Sequence, residues 1–153
     1  MEFKLAEIKD ISRINELFYE LDSDAIETQP EHFQRGDRTN EYYENIIMDN
    51  KSDFILVILD DKIIGFSLLF EKEVKGLSLL VPCKYTYIQD FIITKKQRNK
   101  GIGKKLLEIS KKWAKEHGTE YLRLSVIPKN TKGIRFYKNN GMNEQMISME
   151  CKI

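Results

Sequence analysis

Cysteine, proline and histidine are scarce in this chain of 153 residues, at two, three and two copies. Two thiols, Cys83 and Cys151, cannot form a disulfide framework of the kind that staples small secreted domains, and a chain of this length needs none. His32 and His117 stand alone and far apart, so no Cys/His cluster has zinc-ligand spacing and no metal is expected. There is no long hydrophobic run. The longest, Phe54 to Leu59, is six residues, against the roughly 18 to 20 of a membrane-spanning helix. The first residues, Met1-Glu2-Phe3-Lys4, mix acid and base and do not read as a signal peptide. A cytoplasmic setting is therefore expected. Charge of one sign is also missing: 25 basic residues against 24 acidic leave +1, which argues against a nucleic-acid coat or a membrane-surface protein.

No repeat, low-complexity block or Pro/Gly-rich linker divides the chain, so one domain over residues 1–153 is expected. Hydrophobic residues make up 41% and charged residues 32%, the balance of a globular protein that buries roughly two-thirds of its unfolded surface.

Periodicity predicts the elements. Phe3 to Ala6 is a short strand. Asp10 is a candidate N-cap for a helix with Ile11, Ile14, Leu17, Phe18 and Leu21 at helical spacing. Thr39 caps a second helix carrying Tyr42, Tyr43, Ile46 and Ile47. Phe54 to Leu59 and Lys62 to Glu71 read as a hairpin turning at Asp60-Asp61. A connector with Gly76 and Pro82 leads to a strand from Tyr85 to Thr94. A strong helix follows from Gly101 to His117, its apolar face Ile102, Leu106, Ile109 and Trp113, ended by Gly118. Tyr121 to Ile127 is a further strand, Thr131 to Asn140 a short helix, and Gln145 to Lys152 a last strand. The order β-α-α-β-β-β-α-β-α-β implies an α/β mixed sheet with helices on both faces.

The segment with most chemical content runs from Asp90 to Lys104. A buried strand ends, a basic loop follows, and Gly101 and Gly103 sit at a helix start. First-turn N–H groups lack intrahelical partners and lie at the positive end of the helix dipole. Glycines remove the Cβ atoms that would hold a pyrophosphate away from them. Between Lys95 and Lys115 there are nine basic residues and one acid, Glu108. A solvated basic helix with turning glycines is the plain alternative. A P-loop is excluded, since Arg98 stands where its first glycine belongs and Lys105 where its hydroxyl belongs. A dinucleotide fingerprint would need glycine at Leu106.

Arg98-x-x-Gly101-x-Gly103 after a strand resembles motif A of the GNAT superfamily of acetyl-CoA-dependent N-acetyltransferases. Asn130, Phe136-Tyr137 and Gly141-Met142 resemble a second family segment, with Met142 in place of the usual Phe. The resemblance covers nearly the whole chain in element order and is clearest from Tyr87 to Met142. It implies the GNAT fold, a mixed, mostly antiparallel central sheet, and acetyl-CoA as co-substrate. On this resemblance the main chain of Phe91, Ile92 and Ile93 would pair with the pantetheine arm. The amides from Arg98 through Asn99, Lys100, Gly101, Ile102 and Gly103 to Lys104 would hold the pyrophosphate, with Arg98 steering by charge. Asn130 would contact the cofactor arm, cap the following helix, or do both. Tyr137 is the candidate acid that assists thiolate departure; a half-buried core tyrosine beside Phe136 is the alternative. Some relatives carry a Glu-Asp pair where this chain has Gln89-Asp90. Asp90 is a candidate base for the acceptor ammonium, in competition with a water relay.

Between Arg13 and Arg35 there is no Lys or Arg, while Glu16, Glu20, Asp22, Asp24, Glu27 and Glu31 are present. The family link between the first two helices borders the acceptor cleft, so an acidic rim would favour a small cationic amine; a solvated helix face is the alternative reading. A small-molecule amine acceptor is expected, with no nucleic acid and no membrane as partner. A homodimer is compatible with the apolar connector Leu77-Ser78-Leu79-Leu80-Val81. A protein N-terminal or lysine acetyltransferase and a non-catalytic CoA-binding sensor are the competing functions. RNA binding is disfavoured because the basic stretch lacks interleaved aromatics.

Overall fold

The computed structural model describes all 153 residues. Strand β1 (Glu2–Leu5) is followed by helices α1 (Ile11–Thr28) and α2 (Asn40–Met48). Strands β2 (Ser52–Leu59), β3 (Lys62–Val74) and β4 (Cys83–Ile93) come next, then α3 (Ile102–Glu116), β5 (Tyr121–Arg123) and α4 (Thr131–Asn139). The sheet order is β1-β2-β3-β4-β5; the first three pairings are antiparallel and β4 with β5 is parallel. This is the expected mixed α/β sheet with helices on both faces.

Local chemistry explains the boundaries. Asp60 and Asp61 both take positive φ, 50° and 59°, the twist a two-residue hairpin turn demands and one that aspartate tolerates. Thr39 caps α2 as predicted, its Oγ1 accepting from the Tyr42 amide at 3.3 Å. Asp10 acts one step earlier than predicted. It makes no side-chain cap for α1; its carboxylate instead accepts from the Glu7 amide at 3.0 Å, closing the single 3-10 turn before the helix.

Two cores sandwich the sheet. Ile14, Leu17 and Phe18 of α1 and Tyr43 and Ile46 of α2 pack on Phe54, Leu56, Phe66, Leu68 and Ile92. On the other face Ile102, Leu106, Leu107 and Trp113 of α3 pack on Ile55, Val57, Leu69, Ile88 and Ile93, with Phe136 and Tyr137 of α4 beside them. At about 25 cal/mol per Å² these buried apolar faces are the main stabilising term.

One predicted element does not form. Gln145 to Lys152 has no strand structure, and Met146, Ile147 and Met149 are exposed. The expected strand from Tyr121 to Ile127 is also cut to three residues. The two differences share a cause: β5 leaves β4 after Arg123, so it offers no edge long enough for a sixth strand. Cys83 is buried, Cys151 is exposed, and both are free. No helix is long and apolar enough to cross a membrane.

Candidate active site

The site begins where β4 and β5 part. Their parallel ladder has three rungs, Tyr85 with Tyr121, Thr86 with Leu122 and Tyr87 with Arg123, yet β4 continues to Ile93. Beyond Tyr87 its outer edge no longer has β5 as a partner. On its inner edge, Leu68 faces Asp90 and Leu69 faces Ile88, so Gln89 is an extra residue bulged out of the ladder. The bulge resets the alternation of side chains. Phe91 and Ile93 join the α3 core, whereas Ile92, and with it Asp90, turn to the α1–α2 face.

The loop after β4 makes one 3-10 turn, Lys95–Gln97, and then passes through two left-handed residues, Asn99 (φ 62°) and Gly101 (φ 76°). Gly101 stands at the N-cap of α3 and no side chain caps that end, leaving its first-turn amides open. A Cβ on Gly101 would meet nothing within 4 Å. A glycine here therefore answers the backbone angle, and it leaves the approach to the amides clear.

A cleft of about 640 Å³ lies between these elements. Phe91, Ile92 and Ile93 line it from β4, Arg98, Asn99, Gly101, Gly103 and Lys104 from the loop and α3, and Asn130 and Tyr137 from the start and middle of α4. Three predicted site residues do not bring their side chains to it, although the amide of Ile102 belongs to the open first turn of α3. Ile102 is buried in the core beneath α3, Lys100 is exposed with its amine on Gln97 Oε1 at 2.8 Å, and Asp90 faces the other side of the sheet. Asn130 caps α4, its Oδ1 accepting from the Gly133 amide at 2.9 Å, while also lining the cleft. Tyr137 stands edge-on to Phe91, ring centroids 6.1 Å apart. Burial pushes its phenol up to about 12, so it stays protonated at neutral pH.

Arg98 is held by carboxylates. Its Nε donates to the Ile93 carbonyl at 2.7 Å, and its Nη2 reaches Asp24 at 2.8 Å and Glu20 at 3.4 Å. Glu20 also accepts from the Lys95 amide at 2.6 Å and the Thr94 hydroxyl at 2.8 Å, and Asp24 pairs with Lys95 Nζ at 2.8 Å. Burial acts to raise the Asp24 carboxyl, but the Lys95 and Arg98 hydrogen bonds outweigh it and hold it below its ordinary value. Glu20 and Asp24 thus clamp the loop to α1. In the sequence these acids stand out only as part of a charged stretch; their spacing of four residues, one helical face, is the signal that ties them together.

Most of that acidic stretch is engaged within the chain. Asp22 forms a two-point pair with Arg38, both contacts 2.9 Å, and accepts from the Gly36 amide at 2.9 Å. Glu16 pairs with Arg13, and Glu31 with Lys129 at 3.5 Å. Glu27 lines the cleft. Arg38 lies 4.0 Å over the Phe18 ring and near Asp90. Burial raises the Asp90 carboxyl to about 6; the Arg38 charge opposes the rise and Asp22 adds to it. A carboxylate that titrates near neutrality, on the face opposite the glycine-rich loop but at the point where the strands part, is suited to proton transfer.

The acetyltransferase (GNAT) family profile matches residues 15–142. No curated protein matches the chain by sequence. Among solved structures, a tetramutant of the BH1408 protein from Bacillus halodurans is similar over 100% of both chains, with 21% identity and a TM-score of 0.93. An aminoglycoside acetyltransferase from an uncultured soil metagenomic sample, solved with sisomicin, shares 16% identity over 99% of this chain and 95% of its own, TM-score 0.74. An aminoglycoside N-acetyltransferase solved with CoA shares 14% identity over 99% of both chains, TM-score 0.74.

Proposed function

Because the chain belongs to the GNAT acetyltransferase family, we propose that it moves an acetyl group from acetyl-CoA directly to a primary amine. The observation that carries this reading is the uncapped, glycine-opened start of α3 facing the free edge of β4, with Tyr137 in the same cleft. The residues present fit the donor. The first-turn amides of α3 and Lys104 suit a pyrophosphate, and the main chain of Phe91 to Ile93 suits an amide-bearing arm. Arg98 acts through the loop, since its guanidinium is already paired.

Bound there, acetyl-CoA supplies an activated acyl group: the amine nitrogen bonds to the carbonyl carbon, the carbon–sulfur bond breaks and the thiolate leaves. Tyr137 donates a hydrogen bond to the departing sulfur. A thiol loses its proton near 8.5 and this phenol near 12, so full transfer ahead of bond cleavage is uphill and hydrogen bonding is the stabilising act. Asp90, on the acceptor side, removes the ammonium proton directly or through water.

A small cationic amine is the second reading of the acceptor, supported by Glu27 in the cleft and by the sisomicin-bound neighbour. The test is calorimetric titration with acetyl-CoA beside a Gly101→Glu/Gly103→Glu control, followed by thiol release across an amine panel. Micromolar binding lost in the control, with turnover, supports the transferase. Binding with no turnover favours a CoA sensor, and no binding at millimolar acetyl-CoA overturns both.

A further inference from the structure

The sheet face bearing Asp90 continues past the cover of α1 and α2. Along β3 and β4 the pairs Leu68–Asp90, Phe70–Tyr87 and Lys72–Tyr85 follow one another on this face, and Arg123 and Tyr121 of β5 extend the last two rows. Leu68 is fully buried and Phe70 half-buried against the α1–α2 core, whereas Lys72 and Tyr121 are exposed. The outer rows form a tyrosine floor carrying two cations. Lys72 Nζ lies 5.0 Å over the Tyr87 ring; the Arg123 guanidinium lies 4.5 Å from the Tyr85 centroid and 5.1 Å from that of Tyr121.

Neither cation has a carboxylate within ion-pair distance. The neighbouring acids of β3 pair elsewhere, Glu71 with Lys84 at 3.7 Å and Glu73 with Lys75 at 3.1 Å. The one polar contact of Arg123 is with Cys83 Sγ at 3.7 Å, a weak acceptor. Aromatic rings attract a guanidinium without accepting its N–H hydrogen bonds, so the donors of Arg123 stay available for a two-point grip on a carboxylate. From the Lys72–Tyr85 row to the Leu68–Asp90 row is four residues along β3, about 13 Å at ~3.3 Å per residue.

We propose that the acceptor is an elongated amine whose far end carries an anionic group. The amine sits at Asp90, the intervening chain lies across Tyr87 and Phe70, and Arg123 with Lys72 binds the anion. This rests on the transferase reading and names its acceptor class.

The probes are aminooctanoate, octylamine and diaminooctane, which differ only in the terminus remote from the reacting amine. Wild type is expected to favour aminooctanoate over octylamine in kcat/KM by roughly tenfold to a hundredfold, the value of one charge-assisted contact. R123Q should collapse that ratio, and R123K, which keeps the charge without the planar fork, should retain part of it. Equal rates for aminooctanoate and octylamine, a ratio unchanged in R123Q, or a preference for diaminooctane would each overturn the anion site while leaving acetyl transfer intact. If acetyl-CoA neither binds nor turns over, the transferase reading fails. Calorimetry of aminooctanoate alone then decides the site: weaker binding to R123Q supports it and equal binding overturns it. K72Q supplies the second variant should R123Q not fold.

Discussion

Replacing Asp90 by Asn separates stability from activity. Burial is the main reason the Asp90 carboxyl titrates near 6 instead of 3.8. At 1.36 kcal/mol for each tenfold change in proton affinity, carrying it that far costs the folded protein about 3 kcal/mol once the group is ionised. Part of the side chain still meets solvent, so about 1–2 kcal/mol is the realistic figure. The folded state holds the proton more tightly than the unfolded chain. Asp90 therefore burdens the fold least below about pH 4, and stability is lost as pH rises through about 6. Asn stays neutral throughout. Asp90→Asn should match wild type near pH 4 and exceed it by about 1–2 kcal/mol at pH 7, several degrees in Tm for a chain of this size. The same variant should lower kcat/KM by roughly 10²–10⁴ and remove an ascending limb centred near pH 6. Urea unfolding and thiol-release kinetics at half-unit pH steps measure both. A variant less stable than wild type at pH 7, or a stability difference independent of pH, would refute the burial argument. An unchanged rate profile would assign the proton to a water relay.

Tyr137→Phe should lower turnover at least tenfold while leaving the acetyl-CoA Kd nearly unchanged, because the ring contacts with Phe91 and Phe136 survive; calorimetry beside steady-state kinetics checks the split. Asp22→Asn breaks a mostly buried pair with Arg38 and should cost about 2–4 kcal/mol at pH 7. Arg38 and the Gly36 amide hold Asp22 below its ordinary 3.8 against the opposing effect of burial, so this stability is present above pH 4 and fades as pH falls through the folded value, visible as converging melts in acid. Gly101→Ala has room for its methyl, so its cost is backbone strain alone, about 1–2 kcal/mol, and Gly101→Asn should recover much of it in thermal melts.

Legibility in the sequence followed locality. Helix α3 and its glycine-opened start could be read because the apolar stripe, the glycines and the preceding strand all lie within a short stretch. The hairpin at Asp60-Asp61 was legible for the same reason. Asp90 was visible as a candidate, but the face it occupies depends on the bulge at Gln89, which exists only when β4 is laid against β3. Arg98 looked like a phosphate partner because its own acids, Glu20 and Asp24, lie more than seventy residues away in the chain. The tail from Gln145 has strand-like residues, but a strand needs an edge to join, and the departure of β5 from β4 cannot be read from the tail itself.

The bulge at Gln89 makes the count of residues in β4 a functional quantity. Side chains on a strand have only two phases, and one extra residue exchanges them. Pair Gln89 into the ladder instead of bulging it out, and the carboxylate would pass to the α3 side while Phe91 swung toward α1 and α2. Every amino acid of the proposed chemistry would still be present, each handed to the wrong compartment. For this sheet, losing the bulge while keeping the residue would silence what many substitutions would only weaken.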